Sequence, residues 1–136
     1  MAIRSCVRLV HASELSDRAP YAYAAVAESP SRWVFTAGAC PLDESGVVVA
    51  LGDVAGQAEQ VMVNLRIALA AAGAQLTDVV KTTVYVASPR PEDLLAVWDV
   101  VHRHFGAHEA PSTLLGVAVL GYRDQLVEVE AVAALP

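Results

Sequence analysis

The sequence predicts an α+β domain in which a six-stranded mixed sheet carries two helices on one face. Three observations lead there: two long segments with apolar residues at helical spacing, strand-like runs on either side of them, and a closing stretch, Val127 to Val132, that alternates apolar residues with carboxylates.

In chain order, Cys6 to Val10 and Tyr21 to Ala27 read as short strands, separated by the turn formers Ser13, Ser16, Asp17 and Pro20. Arg32 to Ala37 is a stronger strand, stopped at Gly38 and Pro41, and Asp43-Glu44-Ser45-Gly46 is a turn into Val47-Val48-Val49. An antiparallel meander is the simplest arrangement. Val54, Ala58, Val61, Leu65, Ala68, Leu69 and Ala72 then form one helical stripe, with Asp53 as N-cap and Gly73 as the stop. Asp78 to Val86 is a strand with Val80, Thr82, Val84 and Val86 facing one way and Lys81, Thr83 and Tyr85 the other. Strand, helix, strand at this length implies a right-handed parallel crossover.

The second helix runs from Pro91 to Phe105, with proline in its first turn, Leu94, Trp98, Val101 and Phe105 as its stripe, and Gly106 as its end. Two last strands, Ser112 to Leu120 and Gln125 to Ala133, flank a turn containing Gly121 and Asp124. Residues 1–136 read as a single domain without repeats or linkers.

Hydrophobic residues make up 55% and charged residues 18%, too apolar a balance for a small monomer, and two helices cover only one sheet face. A small cyclic homo-oligomer with small-molecule clefts between subunits is expected. The net charge of −6 disfavours nucleic acid and anionic membrane as partners. With no transmembrane-length apolar run, no secretory signal pattern at the N-terminus, and Cys6 and Cys40 at neither metal nor disulfide spacing, a cytoplasmic protein with free thiols is expected.

Alternation along the last strand sends Val127, Val129 and Ala131 to the core, and Glu128 and Glu130 to the opposite face. A solvated edge charge is the simplest account of either carboxylate; a site on the uncovered face is the functional one.

The motifs resemble the RidA/YjgF family of reactive-intermediate deaminases, also known as L-PSP endoribonucleases. The resemblance rests on Ala19-Pro20-Tyr21, Val34 to Asp43, Gln57 to Leu65, Leu69 to Ala74, Asp78 to Val86 and Val127 to Ala133, in the family's order across nearly the whole chain. It implies a chorismate-mutase-like subunit, a homotrimer with clefts at the subunit interfaces, and hydrolysis of imines or enamines to keto acids and ammonia, with neither cofactor nor metal. Carried over by position, Glu128 is the carboxylate that handles water, Tyr21 a cleft tyrosine and Gly38 a backbone donor near the ligand. Tyr21 equally fits an interface aromatic, and Gly38 a turn glycine.

Against the family's Pro-Ala-Arg-Ser type motif, Ala110-Pro111-Ser112-Thr113 places Ser112 where the arginine clamps the substrate carboxylate. Losing a bidentate guanidinium pair removes ~1.5–3 kcal/mol, so amino-acid-derived imines are expected to bind at least tenfold worse. Trp98 stands at a position often asparagine, Leu114 at one held by cysteine, and Ala39 at a polar one, which makes the pocket more apolar. The spacing of Trp98 fits core packing as well. Arg123 and Arg103 are candidate replacement cations, although such charges are usually solvated. Cys40 falls near the cleft mouth, with packing as the alternative to a reactive thiol. The histidines show no zinc pattern.

Two readings follow. The leading one is a Rid-type trimer that binds a small metabolite and hydrolyses an imine, enamine or related carbon–nitrogen group other than 2-aminoacrylate, using Glu128. The competing one is a non-catalytic small-molecule-binding or regulatory trimer. Ribonuclease action conflicts with the acidic charge.

Overall fold

The computed structural model describes residues 4–136. Its elements are β1 (Val7–Val10), β2 (Ala24–Ala27), β3 (Arg32–Phe35), α1 (Val54–Ala71), a 3-10 turn (Leu76–Asp78), β4 (Val79–Val86), α2 (Pro91–Phe105), β5 (Ser112–Gly116) and β6 (Val127–Leu135). This is the expected α+β class. The strands divide differently from the expected single sheet: β1 and β2 form an antiparallel ladder, and the other four form a mixed sheet in the order β3-β6-β4-β5. The break lies after β2, where Ser29 takes a φ of 48° and Pro30 follows, so the chain turns away and β3 pairs with β6 instead.

Val47 to Val49 does not become a strand. Asp43 Oδ1 accepts from the backbone N–H groups of Ser45 (2.9 Å) and Val47 (3.0 Å), which leaves one isolated bridge between Leu42 and Val48. β5 stops at Gly116, four residues short of the expected end; a Cβ there would lie 2.9 Å from the Ser88 carbonyl oxygen.

Both helices begin and end for local reasons. Asp53 Oδ1 caps α1 by accepting from Gly56 N–H at 3.0 Å, and Gly73, at a φ of 83°, lets the chain leave it. Pro91 opens α2, where a missing N–H costs nothing. The crossover through α2 joins the parallel strands β4 and β5.

β6 is the spine of the sheet, antiparallel to β3 on one side and to β4 on the other. Val127, Val129, Ala131, Ala133 and Leu135 are buried, in one cluster with Met62, Leu65 and Leu69 of α1 and Val97 and Val101 of α2. Each large side chain taken wholly out of water contributes ~1.5–3 kcal/mol. A register shift between Val79 and Lys81 sends Val79, rather than the expected Val80, into this core.

The sheet face away from the helices carries Lys81, Thr83, Tyr85, Thr113, Leu115, Glu128, Glu130 and Val132, with Trp33 and Phe35 on β3 50% and 75% exposed. Among the described residues, no helix is long and apolar enough to cross a membrane.

Candidate functional site

The alternation of β6 that buries its valines delivers Glu128 and Glu130 to the open face. Glu128 lies beside Tyr85 and Glu130 beside Thr83 on β4, and the Tyr85 hydroxyl reaches diagonally to donate to Glu130 Oε1 at 2.7 Å. That bond pushes the tyrosine's pKa up, with burial adding to it.

Glu128 is held more tightly. Its Oε1 accepts from the Cys40 thiol at 3.1 Å and from Gln125 Nε2 at 3.3 Å. Gly38 packs against the same carboxylate, so closely that a Cβ there would lie 2.5 Å from Glu128 Cδ. This segment cannot recede, because Ala39 and Val129 exchange hydrogen bonds of 2.7 and 3.2 Å. Burial, and next the hydrogen bond to Glu128, push the Cys40 thiol up to about 11, so at neutral pH it is a donor and not a nucleophile.

Gly38, Cys40 and Glu128 are therefore brought together. Tyr21, Trp98, Ser112 and Leu114 form a second group, lining with Pro20, Leu95 and Thr113 a cleft of about 500 Å³ beside the edge strand β5. Tyr21 is placed by its neighbours: Ala22 N–H donates to the Glu109 carbonyl (2.8 Å) and Tyr23 N–H to that of Val10 (3.0 Å). Its ring meets Trp98 edge-on at 6.2 Å, and Trp98 in turn stacks on His102 at 6.0 Å.

The two groups lie on opposite sides of the sheet. Thr82 Oγ1 donates to Ser112 Oγ at 2.7 Å, and Thr82 is on the buried face, so Ser112 points toward the helices, as does Leu114, which packs on the core. The register puts Thr113 beside Thr83 and Leu115 beside Tyr85, on Glu128's face. In a Pro-Ala-Arg-Ser pattern the arginine is the second residue after proline, and two after Pro111 stands Thr113. One step along a strand changes faces, so Thr113 and Leu115, and not Ser112 and Leu114, share the face of Glu128.

The candidate cations also part. Arg103 bonds Glu59 on the outer helical surface, where it and His104 (2.7 Å) hold the Glu59 pKa below its ordinary value. Arg123 is exposed in the turn before Gln125. The cation beside Thr113 is instead Lys81, whose Nζ donates to Thr113 Oγ1 at 2.7 Å. As the sole lysine of the sequence, alternating onto the carboxylate face, it was identifiable beforehand. Gln125 carried no such signal. Among the described residues, no three His, Cys, Asp or Glu side chains are grouped to hold a metal ion.

The family model described as Endoribonuclease L-PSP matches residues 11–135. The chain belongs to the RidA/YjgF family. The match takes in both residue groups, from the loop bearing Tyr21 to the strand bearing Glu128. Among family relatives, a RutC family protein of Pyrococcus horikoshii is 33% identical over 114 residues, which cover 84% of this chain and 86% of that protein. The human 2-iminobutanoate/2-iminopropanoate deaminase is 32% identical over 114 residues, covering 84% of this chain and 79% of its own. Of the family's solved structures, YyfB from Yersinia pestis, a conserved Rid protein, superimposes with a TM-score of 0.88 at 28% identity, covering 96% of this chain and 99% of that one.

Proposed function

We propose that the protein hydrolyses the carbon–nitrogen double bond of a small imine, or of the enamine in equilibrium with it, in a cleft between neighbouring copies of a homotrimer. The observation that carries the reading is Glu128, held by two donors and a glycine on an otherwise uncovered sheet face. The separation of the two groups supports the inter-subunit cleft: Glu128 of one copy would face the Tyr21 and Trp98 cleft of another. Likeness to the human deaminase supports the reaction class.

The chemistry balances with one carboxylate. Glu128 takes a proton from water as its oxygen bonds to the imine carbon and the carbon–nitrogen π electrons move to nitrogen. It then returns the proton to nitrogen, which gives the neutral carbinolamine; the same carboxylate next takes the hydroxyl proton as the carbon–oxygen π bond forms and the carbon–nitrogen bond breaks, and passes it to the departing nitrogen, so that ammonia leaves a carbonyl. Tyr21 supplies a hydroxyl to orient the reactant. With Thr113 at the arginine position, the preferred substrates lack an α-carboxylate.

Ammonia release from freshly generated imines, with and without a carboxylate, tests this. Glu128→Gln is expected to remove at least a hundredfold of the wild-type rate; an unchanged rate rejects the assignment, and a monomer in sedimentation at micromolar concentration rejects the shared cleft. Thr113 itself favours a second reading, a trimer that binds a metabolite without turning it over. In that case ligand raises the melting temperature and no imine yields ammonia.

A further inference from the structure

Both donors to Glu128 fall on one of its oxygens. Gln125 Nε2 and Cys40 Sγ each reach Oε1, at 3.3 and 3.1 Å. Gln125 is 3% exposed, and its amide can sit only one way round, because Oε1 accepts from Tyr122 N–H at 3.0 Å while Nε2 also donates to the Val127 carbonyl at 3.0 Å. A flipped amide would set two donors against each other.

Each donor is anchored by α1. Gln57, wholly buried, donates from Nε2 to the Asp124 carbonyl (3.0 Å) and accepts at Oε1 from Leu126 N–H (2.7 Å), gripping the chain on both sides of Gln125. Asn64, two helical turns along, donates from Nδ2 to the Cys40 carbonyl (2.8 Å) and to that of Leu42 (2.9 Å). The helix thus fixes the two loops that meet at Glu128. A single carboxylate oxygen already engaged by two donors is poorly available for a third partner, and the other is left as the acceptor.

We infer that Gln125 and Cys40 are positioning residues, which bind Oε1 of Glu128 from two loops anchored on α1 and leave Oε2 as the oxygen that takes the proton from water. This rests on the proposed role of Glu128 and specifies which of its oxygens acts. The thiol must stay protonated to donate, and the facing titratable group, Glu128, is among the causes that keep it so. Tyr85, beside Glu128 on β4, gives its hydroxyl to Glu130 further along the same face.

The S–H stretching band of Cys40, recorded by infrared spectroscopy on the full chain carrying Cys6→Ser, reads the contact without any substrate. Donation to an ionised carboxylate lowers that frequency, and the near-isosteric Glu128→Gln should raise it. In ammonia release, Gln125→Leu and Cys40→Ala should each lower kcat about tenfold with KM unchanged, while Cys40→Ser, which keeps a donor, restores the rate. A band unmoved by Glu128→Gln overturns the inference. So do wild-type kcat values for Gln125→Leu and Cys40→Ala beside an inactive Glu128→Gln, an outcome that leaves the catalytic role of Glu128 standing. Normal turnover by Glu128→Gln rejects both.

Discussion

Gly38→Ala is the sharpest perturbation of the site, since it adds one methyl group and nothing else. Its Cβ would lie 2.5 Å from Glu128 Cδ and 2.7 Å from Oε2, whereas carbon atoms in contact rest ~3.5–4.0 Å apart. Something must therefore yield by about 1–1.5 Å, the difference between that contact distance and the clash. The backbone is pinned by the exchange between Ala39 and Val129, so the carboxylate swings away and leaves Cys40 and Gln125. Stranding a buried Gln125 N–H costs ~1–3 kcal/mol, offset by ~0.4–1 kcal/mol of unfolded-state entropy removed when glycine becomes alanine. The expected outcome is a fold weakened by no more than ~2.6 kcal/mol on those terms, with turnover down about a hundredfold, the scale of a reacting group misplaced by ~1 Å. Ammonia release and thermal melting on one preparation separate the two effects. A kcat within threefold of wild type would refute the argument that Glu128 needs this orientation.

Four further outcomes are expected. Thr113→Arg should improve KM for carboxylate-bearing imines at least tenfold, whereas Ser112→Arg should instead lower the melting temperature by forcing a guanidinium against Thr82 beneath the helices; the reverse pattern would show that the register argument is wrong. Gln57→Leu leaves the Leu126 N–H and Asp124 carbonyl unpaired and should cost ~2–6 kcal/mol in denaturant unfolding, at ~1–3 per group. Leu69→Ala, cut from the centre of the core, should cost ~2–5 kcal/mol, read in the same assay. Arg103 and His104 depress the Glu59 pKa, so their stabilisation is present above its ordinary value of 4.5 and is lost as pH falls through the lowered one. Glu59→Gln should flatten that acid limb of the melting profile, by a small amount because the carboxylate is exposed.

Much of the fold was legible because period and punctuation agreed. Asp53, Gly73, Pro91 and Gly106 mark helix ends that the structure keeps within a residue or so. Strict alternation along β4 admits no bulge and so put Val80 on the side of Thr82, Val84 and Val86, and β propensity at Val47 to Val49 outweighed the Asp43 side chain that closes the turn. The division into two sheets was hidden, since Ser29-Pro30 reads equally as a hairpin. At the site, Glu128, Gly38 and Cys40 were readable together from strand alternation and family motifs. The place of Thr113 on Glu128's face was not, because it depends on the register of β5 against β4, and Gln125 was not, because a buried glutamine in a turn has no pattern of its own; only folding brings it beneath Glu128.

The carboxylates of β6 also bear on how this chain finds its fold. Its central strand must pair on both edges at once, and a slip of a single residue would exchange its faces. Glu128 and Glu130 would then enter among Val61, Leu65 and Val97, while the valines faced outward. Two unpaired carboxylates in such surroundings cost several kcal/mol each even after relaxation, a large fraction of a typical domain's stability. Replacing both with apolar residues would remove more than any chemistry they perform: a strand apolar on both faces has two competing alignments, and misaligned, aggregation-prone chains are the expected product.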